Sequence, residues 1–155
     1  MLLAVVTLAA SLAACAPGVS PRTMAAIVRA ESSGWPLTIH DNTTARSYSF
    51  GDRTQAEAAA TRLIAAGHNL DLGLAQINIG NLRPLGLGVH DVFDSCANLR
   101  AGATILRGAY TAAVARFGPG QIALRHALSA YNSGSLFAAP DYVRRVIEAS
   151  GLARQ

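Results

Sequence analysis

The stretch Ser20-Pro21-Arg22-Thr23-Met24-Ala25-Ala26-Ile27-Val28-Arg29-Ala30-Glu31-Ser32-Ser33-Gly34 decides how the chain reads, because an apolar helical stripe in it ends on an acid. Met24, Ile27, Val28 and Glu31 recur at i, i+3, i+4 and i+7, which is one face of a helix. Ser20 offers a capping hydroxyl and Pro21 suits the first helical position, while Gly34-Trp35-Pro36 marks the end. A carboxylate placed there loses solvation, which raises its pKa and lets it hold a proton for a leaving group. A plainer reading stays open beside this one: a helix-end glutamate that reaches back to water.

Outward from that helix, residues Leu37 to Arg53 break into Thr, Ser, Asn, Asp and aromatics. They predict loops with one or two short strands near Leu37–Ile39 and Tyr48–Phe50. Thr54-Gln55-Ala56-Glu57 reads as a capping box ahead of an alanine-rich helix that Gly67 ends. Asp71–Asn78 and the following Asn81-Leu82-Arg83-Pro84 read as a short turn or helix that cannot pass the proline. Ser95 caps a long helix to about Phe117, with Leu99, Ala103, Leu106, Tyr110, Ala113 and Phe117 on one face. Gly118-Pro119-Gly120 stops it, Gln121–Tyr131 is a further helix ended by Asn132-Ser133-Gly134, and Pro140–Ser150 is the last. The fold class is therefore mainly α (α+β), with five or six helices and a minor short-strand element.

Composition bounds the chemistry. At 155 residues, 51% hydrophobic and 14% charged, the chain reads as one globular domain with a real core. Its thirteen basic residues are all arginines, which excludes Schiff-base chemistry on lysine and a phosphate-loop lysine. The net charge of +4 suits an anionic partner such as a cell-wall polymer, a nucleic acid or a lipid surface. The arginines are dispersed, only Arg144 and Arg145 are adjacent, and no basic run is interleaved with aromatics, so nucleic-acid binding is not expected. His40, His68, His90 and His126 lie in separate segments without ligand spacing, so no metal site is expected, and surface or capping roles suffice for them. Ser129 and Ser133 lie in no strand–turn–helix elbow, which leaves a serine hydrolase without context. Trp35, the lone tryptophan, reads as a core residue.

Residues 1–14 carry no charge and end in small residues. They are too short for a membrane span and resemble the apolar and cleavage regions of an export signal without its positive start. A first helix packed on the core is the alternative. Leu12-Ala13-Ala14-Cys15 also resembles the box in which a bacterial lipoprotein is cut and lipidated. In an exported protein Cys15 and Cys96 suggest a disulfide, which lipidation of Cys15 would forbid.

Three polar clusters end apolar segments: Glu31-Ser32-Ser33-Gly34, Gly73-Leu74-Ala75-Gln76-Ile77-Asn78 and Ala130-Tyr131-Asn132-Ser133-Gly134. Singly, Gln76 and Asn78 suit turns and Tyr131 an amphipathic core position. Together and in this order they resemble the soluble lytic transglycosylase domain, whose fold is goose-lysozyme-like. The resemblance narrows to the small transglycosylases of type IV secretion and conjugative-transfer systems through Cys15-Ala16-Pro17, Asn69-Leu70-Asp71-Leu72-Gly73-Leu74, Cys96-Ala97-Asn98-Leu99-Arg100-Ala101-Gly102-Ala103 and Tyr142-Val143.

That resemblance implies cleavage of the β-1,4 bond between N-acetylmuramic acid and N-acetylglucosamine in peptidoglycan. Glu31 matches the catalytic acid, which protonates the glycosidic oxygen and then serves as base while the sugar's C6 hydroxyl closes a 1,6-anhydro ring. No second carboxylate, metal or cofactor is implied, unlike the two-carboxylate glycosidases. Asp41 and Asp71, the acids near the motifs, have turn-type neighbourhoods that account for them. Ser32, Gln76, Asn78, Tyr131 and Asn132 match substrate-binding positions, and a Cys15–Cys96 disulfide is favoured over lipidation. Residues 15–155 would form the catalytic domain of a periplasmic monomer, with type IV secretion or conjugation components as further partners. Two departures bear on substrate preference: Ser33 stands where many members have glycine, and Ala75 where methionine is common. The rival is a non-catalytic glycan-binding assembly module on the same fold, for which a desolvated Glu31 would have no use.

Overall fold

The computed structural model describes residues 10–151, so residues 1–9 of the apolar stretch read as leader or first helix lie outside the described residues. Residues 10–15 are helical, with Leu12 and Ala16 buried. Neither cysteine is free: Cys15 and Cys96 are disulfide-bonded, and in that state Cys15 is not available for lipidation. Among the described residues no helix is long and apolar enough to cross a membrane.

Helix α1 (Pro21–Ser32) starts at its proline, and the Ser20 carbonyl accepts the Met24 N–H at 3.0 Å. Met24, Ile27 and Val28 are buried, while Glu31 on the same stripe is half-buried. Ser33 (φ 53°) and Gly34 (φ 83°) then take left-handed backbone and turn the chain out of the helix. The described chain falls into two compact units, residues 31–102 and residues 10–30 with 103–151.

The first unit is built on a four-stranded antiparallel sheet in the order β2-β1-β3-β4. Its strands are β1 (Thr38–Asp41), β2 (Arg46–Ser49), β3 (Leu70–Leu72) and β4 (Ile77–Asn78). Thr38 pairs with Ser49, Ile39 with both Tyr48 and Leu72, and Leu72 with Ile77. Ile39, Leu70, Leu72 and Ile77 form the sheet's fully buried apolar set. The strands expected near Leu37–Ile39 and Tyr48–Phe50 are present with shifted ends. Asp71–Asn78, expected as turn or helix, supplies parts of β3 and β4 instead. Strands of three and two residues are too short for a period-2 pattern to declare itself.

Helix α2 (Arg53–Ala65) buries Ala56, Ala59 and Ala60 and contacts β1 and β3. Its cap is Asp52, whose carboxylate accepts the Gln55 N–H at 2.9 Å. The expected Thr54–Glu57 capping box is therefore absent: Asp52, two residues earlier, takes the role, and Glu57 is engaged by Arg53 Nε at 2.8 Å and His90 Nδ1 at 2.9 Å. A short helix, α3 (Val89–Val92), follows; at four residues it is too short for a helical period to show in the sequence.

The long helix α4 (Ser95–Phe117) has the expected extent, but Asp94 caps it in place of Ser95, accepting the Ala97 N–H at 2.8 Å. Leu99, Ala103, Leu106 and Ala113 of its predicted face are buried, and Tyr110 and Phe117 are half-buried. In the second unit α5 (Gln121–Ser133) packs on α6 (Pro140–Ala149). Helix α5 runs two residues further than expected, so Asn132 and Ser133 are helical, and Gly134 (φ 74°) closes it. Ser129 Oγ fixes the loop between these helices by donating to the Ser135 carbonyl at 2.8 Å and accepting the Ala139 N–H at 3.0 Å. Arg29 donates to the Ala149 carbonyl at 3.0 Å, a cation placed on the end of α6.

Candidate active site

The centre of the first unit's polar cluster is the turn between β3 and β4. Gly73 adopts φ 79°, and a Cβ there would overlap the Asn98 side-chain amide and lie 3.0 Å from the Val92 carbonyl. Asn98, fully buried on α4, receives the Ala75 N–H on Oδ1 at 2.7 Å and donates from Nδ2 to the Leu72 and Val92 carbonyls at 2.9 and 2.8 Å. One side chain thus satisfies the backbone of β3, the turn and α3. The turn is closed further by the Gly73 N–H on the Thr38 carbonyl at 2.8 Å.

Gln76 holds left-handed backbone at φ 49°, a conformation that costs a non-glycine residue and is kept only where the surroundings enforce it. Its Nε2 donates to the Gly73 and Thr38 carbonyls at 2.9 and 3.3 Å. Among the described residues its Oε1 has no partner, which leaves an oriented acceptor on a half-buried side chain. Ser32 is buried, donates from Oγ to the Leu74 carbonyl at 2.8 Å and accepts the Gly34 N–H at 3.2 Å. That bond sets the end of α1, one residue beyond Glu31, against the Gly73–Asn78 turn. Asn78 is otherwise employed: its Nδ2 donates to Asp71 and Asn69 at 2.7 and 2.8 Å, and its Oδ1 accepts the Gly80 N–H at 3.0 Å.

The neighbouring acids are accounted for by structure, though not by turns alone. Asp71 lies within β3, where its carboxylate receives Asn78 and Asn42 at 2.7 and 2.9 Å. Asp41 ends β1 fully buried. Burial pushes its carboxyl up, but donors from the Thr44 hydroxyl, His68 and the Thr43 N–H, with the His68 charge, outweigh that and hold it at about 2. His68, half-buried, approaches it at 2.7 Å. His126 is likewise employed in the second unit, stacked on Phe117 with centroids 4.0 Å apart and hydrogen-bonded to the Leu136 carbonyl at 2.7 Å. Among the described residues no group of three or more His, Cys, Asp or Glu is placed to hold a metal ion.

Trp35, expected in the core, is 50% exposed, its Nε1 tethered to the Phe50 carbonyl at 2.9 Å. The first unit therefore brings Glu31, Ser32, Gln76 and Asn78 onto adjoining segments, with Asn98 beneath the turn. Tyr131 and Asn132 are placed by α5 in the second unit. Tyr131 is half-buried with its ring 6.5 Å from that of Tyr142, and Asn132 is exposed in the last turn. Asn98 is the residue that the motif reading missed as a site support; it stood inside a quoted motif, yet its contact with Gly73 spans 25 positions.

Residues 9–144 match the family model described as "Transglycosylase SLT domain". The chain is 43% identical over 134 residues to "Protein virB1" of Rhizobium radiobacter, covering 85% of this chain and 56% of that protein. It is 39% identical over 134 residues to "Protein virB1" of Agrobacterium fabrum (strain C58 / ATCC 33970), covering 85% of this chain and 54% of that protein. It is 37% identical over 141 residues to "Type IV secretion system protein virB1" of Brucella abortus biovar 1 (strain 9-941), with 86% and 59% covered. The chain thus spans somewhat more than half the length of these relatives. No solved structure matches it.

Proposed function

The chain belongs to the transglycosylase SLT domain family, and from that premise we propose that it is a lytic transglycosylase that cuts the MurNAc–GlcNAc β-1,4 bond of peptidoglycan. The observation that carries the reading is the Ser32–Leu74 bond at 2.8 Å, which fixes the residue following a half-buried acid against the Gly-Leu-Ala-Gln-Ile-Asn turn.

In this scheme Glu31, protonated, donates to the glycosidic oxygen as the bond from that oxygen to C1 breaks. The resulting carboxylate takes the proton of the C6 hydroxyl, whose oxygen bonds to C1, and a 1,6-anhydro ring closes. The proton count balances, Glu31 returns to its acid form and no water is consumed. The engaged states of Asp41 and Asp71 support a one-acid scheme, since neither is left to serve as a nucleophile. Gln76 Oε1 accepts from a sugar hydroxyl or N-acetyl N–H. Ser32 and Asn78 act by holding the turn, and Tyr131 and Asn132 bind glycan by analogy with the family motif.

The names of the relatives support a setting in type IV secretion, where an exported, periplasmic and monomeric enzyme of residues 15–155 would open the wall locally for the apparatus. The test is release of soluble muropeptides from purified sacculi. Wild type is expected to release them and Glu31→Gln to fall to background; equal release by both would overturn the assignment of the acid.

A further inference from the structure

In the second unit the start of α1, the middle of α4 and the start of α5 line a cavity of about 330 Å³, at the lower end of the range of ligand-binding cavities, roughly 300–1,000 Å³. Val19, Leu106 and Leu124 give it an apolar wall. Five polar side chains line it as well: Ser20, Thr23, Arg107, Tyr110 and Gln121. Among the described residues the side chains of Ser20, Thr23, Arg107 and Gln121 have no hydrogen-bond or ion-pair partner. The Tyr110 hydroxyl accepts the Gly120 N–H at 3.1 Å, so its own proton remains available to donate. Among the described residues no acidic side chain lines the cavity.

Arg107 is exposed, and its stem is packed. Gly18 has φ 80°, and a Cβ there would stand 3.1 Å from Arg107 Cδ and 3.2 Å from Nε, so the arginine stem lies directly on the glycine backbone. A planar cation with uncharged donors around it suits an anion, and the fork of a guanidinium matches a carboxylate. The apolar wall asks for a ligand with a small apolar body.

The geometry points to a second binding site, for the free carboxylate end of a short peptide with small apolar side chains. Its natural source is the peptide stem of peptidoglycan, an assignment that rests on the proposed substrate, whereas the carboxylate site itself does not. The site takes no part in bond cleavage and would hold the polymer by its peptide.

The test is an NMR titration of isotope-labelled full-length protein with acetyl-Ala-Ala, with its C-terminal amide, and with peptide stems freed from glycan. The free acid should shift the backbone amides of Val19, Thr23, Gly120 and Gln121, and the amide should bind roughly ten-fold more weakly or worse, as loss of a charge-assisted contact requires. Arg107→Gln should weaken the acid by the same factor, and Thr23→Val, which leaves the charge in place, should weaken it less. Equal binding of acid and amide, or no shift at those four amides, overturns the site. Binding of acetyl-Ala-Ala without binding of the freed stems overturns the stem as source and favours a protein C-terminus. None of the three ligands contains a glycosidic bond, so a failure of the cleavage assay leaves these results standing, and the two readings fail separately.

Discussion

Replacing Gly73 by alanine strikes the turn that supports the site, and its cost can be worked from the surrounding atoms. Left-handed backbone at φ 79° costs a Cβ-bearing residue about 1–2 kcal/mol. The new methyl occupies the place of the Asn98 amide, so Asn98 must move and weaken its bonds to Ala75, Leu72 and Val92. At about 1 kcal/mol per bond, with partial retention, the sum is about 3–5 kcal/mol. Against a typical total of about 5–15 kcal/mol this is severe but survivable. Urea unfolding of Gly73→Ala, Asn98→Ala and the double variant measures it. In the Asn98→Ala background the overlap with the amide is gone, so Gly73→Ala should cost little more than backbone strain, giving a coupling of about 2 kcal/mol or more. A cost below about 1 kcal/mol for Gly73→Ala, or the same cost in both backgrounds, would refute the reasoning.

Asp41 is held at about 2, below its ordinary 3.8, so it contributes stability in full above 3.8 and loses it as the pH falls through about 2. Unfolding free energy measured across that acid range should depend less steeply on pH in Asp41→Asn than in wild type; identical slopes would show that the carboxylate is not the titrating group. Ser32→Ala should cost only about 1 kcal/mol in stability yet lower muropeptide release roughly ten- to a hundred-fold, because the end of α1 is freed from Leu74. Full activity in that variant would remove the Ser32 bond from the account. Reduction of Cys15 and Cys96 should lower stability by about 4 kcal/mol on the chain-entropy model, seen as a shift of the urea midpoint on adding reductant. An unchanged midpoint would show that the bond does not constrain the unfolded chain.

The parts of this fold that were legible in the sequence are those with local signals. Pro21 and the Met24–Ile27–Val28 stripe announce α1, and Gly118-Pro119-Gly120 announces the end of α4. Caps were harder because good capping residues stood close together. Asp52 displaced Thr54 and Asp94 displaced Ser95, each an acid one or two positions earlier whose oxygen reaches the first free N–H groups. Strands β3 and β4 left no pattern, since the four positions Gly73–Gln76 between them are held by contacts to Thr38 and Asn98 that lie far away in the chain. For the site, Glu31 was visible as an acid on an apolar stripe. Ser32, Gln76, Tyr131 and Asn132 became meaningful only through the family motifs, because each alone is an ordinary helix-end or turn residue. Trp35 was misplaced for a physical reason too: its indole N–H is satisfied by a loop carbonyl, so the ring can stay at the surface.

The central claim is that Glu31 drives a cleavage in which the sugar supplies its own nucleophile. It is tested most directly by digesting purified sacculi in water enriched in heavy oxygen and weighing the products by mass spectrometry. Anhydro-ended muropeptides free of the heavy isotope are expected, formed by wild type and not by Glu31→Gln. Reducing-end products carrying heavy oxygen would contradict it and make the protein a hydrolase.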